Sequence, residues 1–141
     1  MQISTHKFIL SLPGLFLVAG TALAEPLITV YKTPSCGCCV KWVEYLRKEG
    51  FEVTAIDQRD LTPVKERAGV KPEMASCHTA MVDGYVIEGH VPAQAIRKLL
   101  EERPTTVGLA VPGMPNNSPG MGKMNGKLKT YTMEGELYST D

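Results

Sequence analysis

Apolar and polar residues alternate along this chain in blocks that mark its elements. Leu27-Ile28-Thr29-Val30-Tyr31 is a short uncharged run rich in β-branched residues, the pattern of a buried strand. Beyond it, Cys39, Val43 and Leu46 recur at helical spacing, with Val40 and Trp42 on adjacent rows. Lys41, Glu44, Arg47, Lys48 and Glu49 take the other side, which predicts an amphipathic helix over Val40 to Lys48 with Gly50 as its stop. Trp42 falls on the apolar side and reads as core. Phe51 to Asp57 alternates again and predicts a second strand. Strand, helix and strand at this spacing make a βαβ unit with parallel strands. A short helix follows over Leu61 to Ala68, with Thr62 as its cap, Pro63 in the first turn and Gly69 closing it. Ser76 to Val82 leads into a third strand. Asp83-Gly84 is a two-residue hairpin signal, and Tyr85 to His90 is the fourth strand. Val91-Pro92 opens a helix with Ile96, Leu99 and Leu100 on its apolar side, and Pro104 lies just past its end.

The two ends read differently. In residues 1–24, Lys7 precedes an apolar stretch from Phe8 to Ala19, and Ala22-Leu23-Ala24 is a small-x-small cleavage site. That is the anatomy of a cleavable secretory signal peptide; the apolar stretch is shorter than the ~20 residues a spanning helix needs. The mature chain is expected to start near Glu25 and to carry no membrane span. Residues 25–104 then form one α/β domain. Residues 105–141 form an extension packed on it: a short extended piece over Val107 to Val111, an irregular Gly/Pro/Asn-rich stretch over Pro112 to Gly126, and a last strand over Lys129 to Met133 before a polar end. The stretch carries Met114, Met121 and Met124. The element order β-α-β-α-β-β-α predicts a thioredoxin-like fold, a central mixed sheet with flanking helices.

Charge adds only an exclusion. Lys plus Arg number 15 and Asp plus Glu 15, with no basic block, so nucleic-acid binding is not indicated. The cysteines change the picture. Cys36, Cys38 and Cys39 stand together at the turn between the first strand and helix, and Cys77 is alone. Export would take all four into an oxidising compartment. The spacing is poor for a disulfide framework, so the group looks built for chemistry. Thiols at a helix start face the positive end of the helix dipole, which favours thiolate. Three thiolates this close repel, and a disulfide, protons or a soft cation must neutralise them. In a thioredoxin-like fold the turn before the third strand packs against the cysteine turn, which would bring Cys77 to the trio. That turn usually carries a cis-proline before Thr; here His78 stands in its place before Thr79.

Three chemistries fit such a site. Cys36 and Cys39 form a Cys-x-x-Cys pair suited to thiol–disulfide exchange, although Cys38 is surplus to it. Four thiolates suit structural zinc, but the spacing is unlike paired zinc knuckles. Copper(I) is soft, accepts few ligands and prefers thiolate and thioether. Adjacent cysteines bind one small ion poorly and can bridge several. His78 is a further candidate ligand because of its place beside Cys77. Met114 and Met121 are candidate thioether donors from the irregular stretch, Met124 reads as a gap-filler, and His90 reads as a turn or capping residue.

Several motifs resemble one family. They are Thr33-Pro34-Ser35-Cys36-Gly37-Cys38-Cys39-Val40-Lys41-Trp42, Ser76-Cys77-His78-Thr79, Glu88-Gly89-His90-Val91-Pro92, Gly108 to Pro115, and Ser118-Pro119-Gly120-Met121. Together they are similar to the small secreted CopG-type copper proteins, over about Leu27 to Met121. The resemblance implies a thioredoxin-like fold and a multi-copper site on Cys36, Cys38, Cys39 and Cys77. It also implies a periplasmic role in bacterial copper resistance, alongside copper exporters or chaperones. The segment after Met121 and the Asn116-Asn117 pair depart from the family pattern.

Overall fold

The computed structural model describes residues 25–141. The leader read over residues 1–24 lies outside the described residues. The elements are β1 (Ile28–Lys32), α1 (Gly37–Lys48), β2 (Val53–Asp57), α2 (Thr62–Ala68), a 3₁₀ turn (Pro72–Met74), β3 (His78–Val82), β4 (Tyr85–Glu88), α3 (Ala93–Glu102), β5 (Gly108–Ala110), β6 (Lys129–Thr132) and β7 (Leu137–Thr140). The strands form one mixed sheet in the order β2-β1-β3-β4-β5-β6-β7. β1 runs parallel to β2 and antiparallel to β3, and β4 runs parallel to β5.

The period-two pattern of the strands sorts the two faces. Ile28, Val30, Ala80, Ile87 and Leu109 point to one face and pack with Trp42, Val43 and Leu46 of α1 and with Ile96 and Leu99 of α3. Val86, Ala110 and Met133 point to the other and pack with Ala68 of α2. Trp42 is fully buried, and its indole N–H donates to the Val91 carbonyl at 3.0 Å, so the largest side chain of the core carries no unpaired polar atom. Asp83 and Gly84 both adopt positive φ, 46° and 86°, as a tight hairpin turn requires.

Three local readings are refined. α1 starts at Gly37, three residues earlier than the apolar spacing indicates, because Cys36 serves as its N-cap. Thr62 lies inside α2, and Asp60 does the capping work by accepting the Thr62 N–H at 2.9 Å. The polar end contains β7, which pairs with β6 around a bulge at Thr130 and Tyr131. Its mixed, mostly exposed residues give little period-two signal; pairing to β6 is what makes it a strand. β5, β6 and β7 continue the same sheet, so the tail shares the backbone ladder of the rest.

Gly108 has no room for a side chain: a Cβ there would lie 1.8 Å from the Val86 carbonyl oxygen. Gly108→Ala is therefore expected to cost more than about 2 kcal/mol. Gly37→Ala, at an open position in the first turn of α1, should stay within about 1 kcal/mol of the parent. Urea unfolding midpoints of the two variants check the contrast.

Candidate metal centre

The first part of the site is the turn into α1. The Cys36 N–H donates to the Thr33 carbonyl at 3.2 Å, and the Cys39 N–H points at Cys36 Sγ at 3.3 Å. Cys39 lies on the buried side of α1; Cys36 and Cys38 are half-buried. The second part arrives through the sheet. The β1–β3 register sets Lys32 against His78, so the start of β3 lies beside the end of β1 and hence beside the start of α1. Cys77 is the residue just before that strand.

The four sulfurs meet as that register requires. Cys77 Sγ lies 3.3 Å from Cys39 Sγ and 3.8 Å from Cys38 Sγ, and Cys38 Sγ lies 3.6 Å from Cys36 Sγ. All four fall within 4.8 Å of one another. Cys36 and Cys39 are joined as a disulfide, and Cys38 and Cys77 are free.

A buried carboxylate holds the Cys77 turn. Glu88, fully buried at the end of β4, accepts from the Ser76 N–H at 2.6 Å and from Thr79 Oγ1 at 2.7 Å. Ser76 Oγ lies 2.9 Å from it and Lys65 of α2 pairs with it at 2.5 Å. Both carboxylate oxygens of Glu88 are thus partnered, as a buried charge requires.

Two imidazoles complete the surroundings. His78 is fully buried and stacks on Trp42 with ring centroids 4.4 Å apart, and its Nδ1 lies 3.5 Å from Cys77 Sγ. Burial, with lesser contributions from His90 and Lys65, lowers its pKa to about 3. His90 is also fully buried; its Nδ1 donates to the Pro119 carbonyl at 2.6 Å and its Nε2 lies 3.6 Å from Cys77 Sγ. Burial lowers its pKa too, partly offset by the bond to Pro119. Both rings are neutral near neutrality, which is the metal-ligating form. The Cys77 thiol is pushed up to about 12, by burial first and then by Cys38, with Glu88 adding. Without a cation it stays protonated; a bound cation would reverse that balance.

The tail crosses the same turn. A Cβ on Gly120 would lie 2.9 Å from the Trp42 backbone nitrogen and 3.2 Å from both the Cys38 carbonyl oxygen and His90 Nδ1. Met121, the next residue, is 38% exposed, and Met114 takes a left-handed backbone with φ 43°. The structure thus brings Cys36, Cys38, Cys39 and Cys77 together with His78 beside Cys77, and sets Gly120, the residue before Met121, against Cys38 and His90. It adds His90, which the sequence presents as a turn residue.

A family model described as a protein of unknown function, DUF411, matches residues 74–121. No curated protein matches the chain. Two solved structures titled copper resistance protein CopG, forms 1 and 2, are similar. The first is 42% identical with a TM-score of 0.70, covering 82% of this chain and 94% of that one. The second is 43% identical with a TM-score of 0.71, covering 82% and 95%. The chain belongs to the CopG family.

In this CopG-family chain the DUF411 match spans Cys77, His78, His90, Met114 and Met121, and stops short of the cysteine trio. Cys36 to Cys39, at the β1–α1 turn, lie outside the stretch that the family model matches.

The imidazole at His78 has a consequence for stability. Its folded pKa of about 3 lies below the ~6.5 of a free imidazole, so between those values the unfolded chain binds a proton that the folded chain does not. This contribution is complete above pH ~6.5 and is lost as pH falls toward 3. Metal-free protein is expected to lose urea resistance between pH 7 and pH 4.5, and His78→Phe, which keeps a ring on Trp42, should lose less.

Proposed function

We propose that this chain is a periplasmic copper(I)-binding protein of copper resistance. Its four cysteines, Cys36, Cys38, Cys39 and Cys77, hold several copper ions in a thiolate-bridged cluster. The observation that carries this reading is the meeting of three sulfurs at the start of α1 with a fourth from before β3, all within 4.8 Å. Thiolates this crowded need positive charge between them, and copper(I) is a soft ion that supplies it at low coordination number. His78, Met114 and Met121 are further donors in this proposal. Family membership supports a role in copper resistance. The order β2-β1-β3-β4 with β3 antiparallel supports a thioredoxin-like reading of residues 25–104. The leader over residues 1–24 supports export, and among the described residues no helix is long and apolar enough to cross a membrane. Exporters or chaperones of copper in the same compartment are the proposed exchange partners.

Loading requires an external dithiol to pass two electrons and two protons to the Cys36–Cys39 bond, itself becoming a disulfide, so that both sulfurs are freed before they ligate. Mature protein, reduced and kept anaerobic, is expected to take more than one copper(I) per chain against a competing chelator. Cys77→Ser should lower both affinity and stoichiometry while leaving the fold's circular dichroism intact. Copper no higher than adventitious levels in the parent would sink the reading.

The disulfide itself favours a second reading, a thiol–disulfide oxidoreductase using Cys36 and Cys39. The bond sits at the start of a helix, where a thiolate leaving group is stabilised. Turnover on a protein disulfide, with a reduction potential in the range of known oxidoreductases, would favour it over storage or transfer of copper.

A further inference from the structure

We propose that Asn125 is a site of spontaneous deamidation, at which two donors of its own turn stabilise the charge that develops on the side-chain oxygen. The site lies in the tail, outside the cysteine centre, and needs only water as co-reactant.

The sequence supplies the reacting pair. The chain has three asparagines, Asn116, Asn117 and Asn125, and only Asn125 precedes a glycine. In this reaction the backbone nitrogen of the following residue attacks the side-chain carbonyl carbon, so a residue without a side chain hinders the approach least. Gly126 has φ 72°, and a Cβ placed on it would meet nothing within 4 Å. Its amide is open to solvent base, and it donates to no backbone acceptor. Asn117 differs: the next amide, Ser118 N–H, donates to the Pro115 carbonyl at 2.9 Å, and Ser118 is fully buried.

The fold supplies the donors. Asn125 Oδ1 accepts from the Lys127 N–H at 3.2 Å and from Asn117 Nδ2 at 2.9 Å. The first bond folds the side chain back along its own backbone, toward the Gly126 peptide. Both bonds draw electron density from the carbonyl. Both also face the oxygen that carries the negative charge of the tetrahedral intermediate, the arrangement that stabilises an oxyanion. A solvent base takes the Gly126 amide proton, and the nitrogen bonds to Asn125 Cγ. The Cγ–Nδ2 bond then breaks, and Nδ2 takes a proton from water and leaves as ammonia. Water opens the resulting succinimide at either carbonyl, to aspartate or to isoaspartate at position 125.

The product acts on the tail. Either product adds one negative charge beside Lys127, and isoaspartate also lengthens the main chain by one carbon. The Asn117–Asn125 bond closes the stretch that contains the Pro119 carbonyl bonded to His90 and the Gly120 backbone packed against Cys38. Ageing at one exposed asparagine thus alters the turn that borders the buried centre.

The test needs no metal. Metal-free mature protein, kept folded in mildly alkaline buffer, is followed by peptide mapping and by an isoaspartate-specific methylation assay. A synthetic peptide of residues 122–128 sets the time scale. Conversion at Asn125 is expected, more than about tenfold faster than at Asn116 or Asn117. Asn117→Ala removes one donor and keeps the Asn-Gly pair, and it should slow conversion by about threefold or more. Asn125→Gln should abolish the isoaspartate signal and leave the circular dichroism unchanged. Asn125 still intact when the peptide has largely converted overturns the proposal. So does earlier conversion at Asn116 or Asn117, or a rate in Asn117→Ala that equals or exceeds the parent's.

Discussion

The Glu88 carboxylate, buried between β4 and α2, takes hydrogen bonds from the Ser76 backbone and the Thr79 hydroxyl and pairs with Lys65. Those contacts fix the turn that carries Cys77, and with it the distance from Cys77 to the start of α1. A buried charge tolerates no missing partner, because an unpaired carboxylate in this setting is strongly destabilising. The site therefore inherits the stiffness of the sheet behind it. Its distal sulfur sits on a turn anchored by Glu88.

Crowding is the second constraint. Cys77 stays protonated in the unloaded protein because burial and the neighbouring Cys38 both oppose its ionisation. The same crowding makes the site responsive to what enters it. A disulfide between Cys36 and Cys39 removes two sulfurs from the repulsion, and a soft cation would neutralise all four. These are alternative solutions to one electrostatic problem, and they cannot both use Cys36 and Cys39 at once. Metal binding by all four sulfurs, as proposed, and exchange of the Cys36–Cys39 disulfide would thus share two atoms.

The imidazoles and the tail bring other parts of the chain to the same place. His78 leaves β3 on the α1 side and stacks on Trp42, so a core tryptophan also forms a wall of the site. His90 is oriented by the Pro119 carbonyl, and Gly120 lets the tail pass close against Trp42 and Cys38 where a Cβ would collide. The tail therefore sets the direction of a side chain some thirty residues earlier, and its β5, β6 and β7 anchor it to the sheet.

Much of this was legible in the sequence. Apolar periodicity located β1 to β4 and the three helices, because half-buried elements must present one apolar face. Three adjacent thiols announced chemistry whatever the fold. His90 was within reach of the same reasoning: counting outward from the Asp83-Gly84 turn through the pairs Val82–Tyr85 to Thr79–Glu88 brings His90 opposite Cys77. β7 was not legible, since a mostly exposed strand owes its existence to its partner. Local sequence, then, determined the elements and the donor types, which depend on neighbours a few residues apart. The tertiary structure alone decided which donors share a volume, which cysteines are paired and which nitrogen of each histidine faces sulfur. Those outcomes depend on sheet register, on burial and on one carbonyl supplied from a distant turn.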